Sequence, residues 1–178
     1  MRTILNALAP VTVVIAMMTG ITAPALLSAS QDATVIFLVR HAEKTDEGRD
    51  PPLSEAGKIR ASVLASMLKN AGIDSIYSSD YRRTRDTAAP VAALLGLPVQ
   101  IYDPRALEKF ASELKQSPGR HLVVGHSNTT PQMAELLGGD GGPEIDEAGE
   151  YDRLYMLSIS ADGGVDTVLL RFGQAYTP

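Results

Sequence analysis

Thr34-Val35-Ile36-Phe37-Leu38-Val39-Arg40-His41 is the stretch on which the reading of this chain turns. Its β-branched and apolar residues run without interruption and stop at Arg40-His41, the pattern of a strand buried on both faces. The polar segment Thr45 to Pro52 that follows reads as a surface loop. Ser54 is then a helix N-cap, and Ala56, Ile59, Val63, Leu64, Met67 and Leu68 recur at helical spacing until Gly72. Beyond it the pattern alternates. Ile73 to Tyr77 predicts a strand, Arg82 to Leu95 a helix closed by Gly96, Val99 to Tyr102 a strand, and Ala106 to Lys115 a helix. His121 to Val124 predicts another buried strand, and Pro131 to Leu137 a helix with Pro131 in its first turn. Gly138 to Gly149 is a glycine-rich acidic loop, and Leu154 to Ser160 with Val165 to Phe172 form a hairpin about Asp162-Gly163-Gly164. Such alternation predicts an α/β fold, a three-layer αβα sandwich about a mostly parallel sheet, with ligands bound beyond the carboxyl ends of the strands.

Residues ahead of the first strand have a different character. Arg2 and the amino terminus form a short positive region, and Ala7 to Leu27 carries no charged side chain. Residues 1–30 are therefore expected to be a signal peptide, and 31–178 a single domain exported to the periplasm or secreted. Ala23-Pro24-Ala25 and Ser28-Ala29-Ser30 both offer cleavage patterns, the second being preferred. The alternative is an uncleaved membrane anchor facing outward, since about twenty apolar residues span a bilayer. The chain has no cysteine, which excludes disulfides, thiolate metal sites and a cysteine nucleophile. Its net charge of −5, with no run of lysine or arginine, argues against nucleic acid as a partner and leaves the membrane to the N-terminal segment alone.

Of the three histidines in the chain, His41 directly follows the first buried strand and His126 directly follows a later one. Arg40 precedes the first and Gly125 the second. A pair at equivalent strand ends of an α/β sheet points to a site for an anion. Four segments then occur in order: Val39-Arg40-His41-Ala42-Glu43-Lys44, Leu53-Ser54-Glu55-Ala56-Gly57, Tyr77-Ser78-Ser79-Asp80-Tyr81-Arg82-Arg83-Thr84-Arg85-Asp86-Thr87-Ala88, and Val124-Gly125-His126-Ser127. Together they resemble the motifs of the histidine phosphatase superfamily, which includes the phosphoglycerate mutases, and they cover most of residues 34–130.

The resemblance implies a phosphoglycerate mutase-like fold and a phosphoryl group carried on His41, with no cofactor and no metal. Arg40 and Arg83 would clamp the phosphoryl oxygens, as planar, permanently charged guanidinium groups can. Arg83 is chosen by matching the motif from Ser79, and Arg82 and Arg85 are left as a solvated helix face. His126 would donate to the same oxygens. The family's leaving-group acid comes from the region between the second arginine and the second histidine, where Glu108 and Asp103 are the alternatives. Glu43 would orient Arg40 or line the substrate pocket.

Gly125-His126-Ser127-Asn128-Thr129 imitates an esterase nucleophile elbow. That fold takes its catalytic histidine from beyond the serine, and no histidine follows His126. A catalytically silent phosphate-binding module of the same fold is a further alternative. Between phosphatase and mutase, only 42 residues separate Arg83 from His126, which leaves little room for a cover over the site. An open pocket admits water, so hydrolysis of a small phosphomonoester or a phosphoprotein is expected.

Overall fold

The computed structural model describes residues 33–178. The expected signal peptide, with both cleavage patterns, lies outside these residues. Strand β1 (Thr34–Arg40) leads through a loop to helix α1 (Glu55–Leu68), then come β2 (Ser75–Ser79), α2 (Arg82–Leu95), β3 (Val99–Tyr102) and α3 (Leu107–Lys115). Strand β4 (Gly119–Gly125), helix α4 (Thr129–Leu137) and the hairpin of β5 (Arg153–Ile159) and β6 (Val165–Arg171) complete the order. The strands form one sheet ordered β3-β2-β4-β1-β5-β6. The first four are parallel, and β5 and β6 are antiparallel, as the short Ser160–Gly164 turn requires.

Because β1 and β4 lie in the middle of the sheet, both of their faces are covered. Ile36 and Leu38 of β1 join the core formed with α3 and α4, while Phe37 and Val39 join the core under α1 and α2. This explains the continuous apolar run: alternate residues feed two different cores. All four parallel strands end on the same edge, which brings the residues after Arg40, Ser79, Tyr102 and Gly125 to one side of the molecule.

Strand β4 begins at Gly119 rather than His121, and two further elements are displaced at their starts. Strand β2 starts at Ser75 rather than Ile73, because Asp74 turns outward to receive β4, its backbone N–H on the Arg120 carbonyl and its carboxylate on the Arg120 N–H. Helix α4 begins at Thr129, where the Thr129 hydroxyl accepts the His126 N–H at 2.9 Å.

The apolar stripe read for α1 needs correction. Ile59, Val63 and Met67 are exposed, at 63%, 37% and 42% of their surface. The inward face instead carries Gly57, Arg60, Ala61, Leu64, Ala65 and Leu68. Small residues bring this helix close to its neighbours, and Arg60 turns inward because it has buried partners. Its guanidinium donates to Glu43 and to the carbonyls of Phe172 (2.6 Å) and Gln174 (2.9 Å).

Ser54 caps α1 by accepting the Gly57 N–H at 3.2 Å, while its own backbone N–H is donated to the Glu43 carbonyl at 2.9 Å. Gly57 is packed against the same carbonyl, and a Cβ there would stand 2.1 Å from the Glu43 oxygen. The glycine thus sets how closely α1 approaches the segment following His41. Gly57→Ala is expected to destabilise the fold by about 3 kcal/mol, read as a fall in the urea midpoint.

Candidate active site

The register of β1 on β4 pairs Arg40 with Gly125, so the next residues, His41 and His126, emerge side by side. The His41 backbone N–H is donated to the Gly125 carbonyl at 2.9 Å. The two imidazole rings stand 5.5 Å apart, centre to centre, nearly edge to face. Gly125 cannot be larger, since a Cβ would meet the Thr129 hydroxyl at 2.9 Å and the Tyr102 hydroxyl at 3.0 Å.

His41 is buried. Its Nδ1 lies 2.8 Å from the Ala42 carbonyl, which can only accept, so Nδ1 carries the proton and Nε2 keeps a lone pair. Burial pushes the ring's pKa down to about 3, aided by the charges of Arg40 and Arg83 and opposed by the Ala42 carbonyl. At neutral pH, the His41 ring is neutral, with a defined tautomer. Ala42 is itself fixed by donating its N–H to Thr87 Oγ1 at 2.9 Å, which links the end of β1 to α2.

Arg40 is placed differently from the clamp expected of it. The side chain is buried, and its Nη1 donates to the carbonyls of Asp146 (3.0 Å) and Glu150 (2.9 Å), its Nη2 to that of Glu147 (2.6 Å). The guanidinium lies 4.0 Å from the centre of the Tyr151 ring, and that ring is 6.0 Å from His41. Arg40 Nε has no partner among the described residues. Arg40 therefore spends most of its donors on the loop before β5.

Arg83 stands in the first turn of α2 with looser partners. Its Nη2 is 3.4 Å from His126 Nδ1, its Nη1 3.7 Å from the Asp50 carboxylate, and its guanidinium 4.6 Å from the Tyr81 ring centre. Arg83 Nε is also buried without a partner among the described residues. Asp50 accepts the Arg82 backbone N–H with both oxygens, at 2.8 and 3.1 Å, and so ties the loop after β1 to the start of α2. Arg82 and Arg85 pair with Asp86 and Asp80 at the surface. For His126, burial and then the charges of Arg83 and Arg40 hold the pKa at about 4.

The remaining predicted site residues lie elsewhere. Glu43 accepts from Arg60 Nε at 2.9 and 3.0 Å and from Arg60 Nη2 at 2.7 Å, so it neither orients Arg40 nor faces the histidines. Asp103 pairs with Arg105 at the surface, and Glu108 is exposed on α3 beside Arg105 and Gln132; neither contacts a histidine. Conversely, Tyr151 and the carbonyls of Asp146, Glu147 and Glu150 were not legible, because backbone acceptors have no sequence signature. Glu150 holds that loop. Burial would raise its pKa, but hydrogen bonds from Arg153, Arg171 and the Asp146 N–H hold it at about 2. Beside His126, a groove of about 770 Å³ is lined by residues including Ser127, Asn128, Gln132, Glu135 and Glu147.

Because His41 and His126 stay neutral in the folded protein, the unfolded chain binds more protons below a pH of about 6.5. Stability contributed by these neutral rings therefore falls as the pH drops through that value and continues to fall toward about 4 and about 3. Urea titrations at pH 7 and pH 4.5 should show the wild type losing more stability than a His41→Asn/His126→Asn double variant.

Residues 36–108 match the model of the histidine phosphatase superfamily, branch 1. A relative in Yersinia enterocolitica named "Probable phosphoglycerate mutase GpmB" is 33% identical over 153 residues, covering 79% of this chain and 70% of that protein. Among solved structures, the protein histidine phosphatase SixA complexed with tungstate superposes with a TM-score of 0.62 at 16% identity, over 77% of this chain and 96% of that one. A mycobacterial glucosyl-3-phosphoglycerate phosphatase gives 0.61 at 17% identity, over 80% and 100%. At such identities the structural likeness concerns the fold. The aligned motifs and the 33% identical relative establish that this chain belongs to the histidine phosphatase superfamily.

Proposed function

We propose that the protein hydrolyses phosphomonoesters through a phosphohistidine formed on Nε2 of His41. The observation that carries this reading is the hydrogen bond from His41 Nδ1 to the Ala42 carbonyl, which leaves Nε2 as an unprotonated, buried nucleophile. In-line attack by Nε2 forms the N–P bond as the bond to the leaving oxygen breaks, and water then cleaves the N–P bond and releases phosphate. Charge on the non-bridging oxygens would be met by the unpaired Nε–H groups of Arg40 and Arg83 and by His126. Since Glu108 and Asp103 do not reach the histidines, the reading favours substrates whose leaving group departs readily.

The relative's name raises phosphoglycerate mutation as a second reading. Two features favour hydrolysis. Only 42 residues lie between Arg83 and His126, and the groove beside His126 is lined by the acidic residues Glu135, Glu144, Asp146 and Glu147. That charge is unsuited to a substrate with a carboxylate or a second phosphate beside the transferred group. The substrate is then a small phosphomonoester or a phosphoprotein without such a neighbour, and no nucleic acid or cofactor enters the reaction.

Rapid quench with a 32P-labelled phosphomonoester should yield an acid-labile, base-stable phosphoenzyme on His41. His41→Ala should lose the label and lower turnover at least a thousandfold, on the order of what removing a catalytic nucleophile costs. Undiminished turnover in His41→Ala would exclude the mechanism, transfer to an added sugar phosphate without phosphate release would favour the mutase, and no label in the wild type would favour the silent module.

We also propose that residues 1–30 direct export and are removed. The apolar, uncharged Ala7 to Leu27 segment and the small residues at 28–30 support this. N-terminal sequencing of the protein expressed from its full reading frame in a Gram-negative host is expected to begin at Gln31 in the periplasmic fraction. An intact chain in the membrane fraction would indicate the anchor instead.

A further inference from the structure

Exposed apolar side chains gather at one place on the carboxyl edge of the sheet. Tyr81, just beyond β2, and Ile101, in β3, are exposed at 39% and 52% of their surface. Together with Tyr102 and Pro104 they line a groove of about 470 Å³. The carboxylates at this groove, Asp80 and Asp103, are paired with Arg85 and Arg105. Its charges therefore cancel in pairs, whereas the groove beside Ser127 is acidic. An uncharged ring suits the first and a cation the second.

Tyr81 belongs to this groove and to the active site alike. Its ring centre lies 4.9 Å from that of His126, edge to face, and 4.6 Å from the Arg83 guanidinium. The backbone beneath the ring is fixed: its N–H is donated to the Ser79 carbonyl at 2.9 Å, and its carbonyl accepts the Arg85 N–H at 3.0 Å and the Thr84 hydroxyl at 2.8 Å. A phosphoryl group seated among His41, His126 and Arg83 thus has an aromatic wall beside it, with the uncharged groove beyond. The chemistry of departure selects the same kind of substituent. Glu108 and Asp103 do not reach the histidines, so the leaving oxygen must depart as a stable anion. A phenol ionises near a pH of about 10, as tyrosine does, far below an aliphatic alcohol.

We propose that the groove behind Tyr81 is the leaving-group subsite and takes an aromatic ring, so that the substrates are aryl phosphates. The inference deepens the proposed hydrolysis and rests on its placement of the phosphoryl group between the histidines and Arg83. In the first step the bond from His41 Nε2 to phosphorus forms as the bond to the aryl oxygen breaks. The phenolate keeps the electron pair, leaves through the groove and takes its proton from water. Tyr81 and Ile101 hold the ring and determine specificity, without a part in the bond changes.

Phenylphosphonate and methylphosphonate, whose P–C bonds resist hydrolysis, are the probes, titrated into the full chain by calorimetry. The wild type is expected to bind the phenyl compound about tenfold more tightly, the order of effect of one aromatic ring against another. Tyr81→Ala and Ile101→Ser should each bring the ratio to about twofold, and Tyr81→Phe should restore it. A variant that merely loosens the fold or Arg83 weakens both ligands and leaves the ratio as it was. In turnover, benzyl phosphate should exceed propyl phosphate about tenfold in kcat/KM, since both release an aliphatic alcohol and differ in the ring, and phenyl phosphate should exceed both. Free phosphotyrosine and a phosphotyrosyl peptide present the same ring, and the faster of the two names its carrier. Equal affinities for the two phosphonates, no binding of phenylphosphonate, or a ratio unchanged in both Tyr81→Ala and Ile101→Ser would overturn the proposal. The phosphonates need no reaction and are also titrated into His41→Ala. They decide the subsite even if His41 proves to carry no phosphoryl group, whereas the labelling of His41 decides the reaction whatever the ring preference.

Discussion

Everything at the site depends on the parallel pairing of β1 with β4. A parallel ladder puts the carboxyl ends of both strands on one edge, and the register Arg40 to Gly125 leaves a single residue of each chain segment to project beyond it. Those residues are His41 and His126. A slip of one residue would turn Ile36 and Leu38 toward the wrong core and take both histidines out of facing positions. The two apolar cores are therefore what holds the rings 5.5 Å apart. The glycine at 125 and the backbone bond from His41 to its carbonyl close the remaining freedom.

Placing positive charge at that edge has a cost that the surrounding backbone offsets. Arg40 is a buried guanidinium, and burial lowers its pKa despite the nearby acids and Tyr151. Three carbonyls from one loop satisfy two of its nitrogens, and the Tyr151 ring lies 4.0 Å from it. The loop can present its carbonyls because Glu150, itself buried, is held by Arg153 and Arg171. Charge is thus passed outward, from the site through backbone acceptors to a buried carboxylate, and from there to Arg171 at the surface. Breaking such a chain at its buried members leaves an uncompensated charge, which is why the segment before β5 behaves as part of the site although it contributes no nucleophile.

How much of this was legible in the sequence follows from the range of each interaction. Buried strands announce themselves locally, so β1, β4 and the histidines at their ends could be read directly, as could Gly96 ending α2 with a left-handed φ of 67°. The glycine in Leu53-Ser54-Glu55-Ala56-Gly57 was visible as a motif, but its cause, contact with the Glu43 carbonyl, is a tertiary fact. Arg60 shows the limit most clearly. By type it belongs on a solvated face, which placed Ile59, Val63 and Met67 inward. Its partners at Glu43, Phe172 and Gln174 lie up to 114 residues away and reverse that choice. Those partners also take Glu43 away from Arg40. Glu108 and Asp103 were selected by position along the chain alone, and the helix phase of α3 turns Glu108 to solvent.

The two arginines of the site illustrate how one residue type can be used in opposite ways. Arg40 is locked by bonds of 2.6 to 3.0 Å to carbonyls that cannot leave without unfolding a loop. Arg83 has contacts of 3.4 and 3.7 Å to two side chains, each long enough to be exchanged at little cost. A phosphate arriving between the histidines finds one guanidinium already fixed, its Nε–H unpaired among the described residues, and another able to re-aim its fork. In the proposed reaction the first sets where the phosphorus atom sits relative to His41, and the second follows the oxygens as the group passes from substrate to nitrogen. Rigid placement and adjustable charge are both required in phosphoryl transfer, because in-line geometry must be held while charge moves. The sequence position of each arginine accounts for the difference: Arg40 ends a central strand beside the loop before β5, and Arg83 lies in the first turn of a helix, where side chains are its partners.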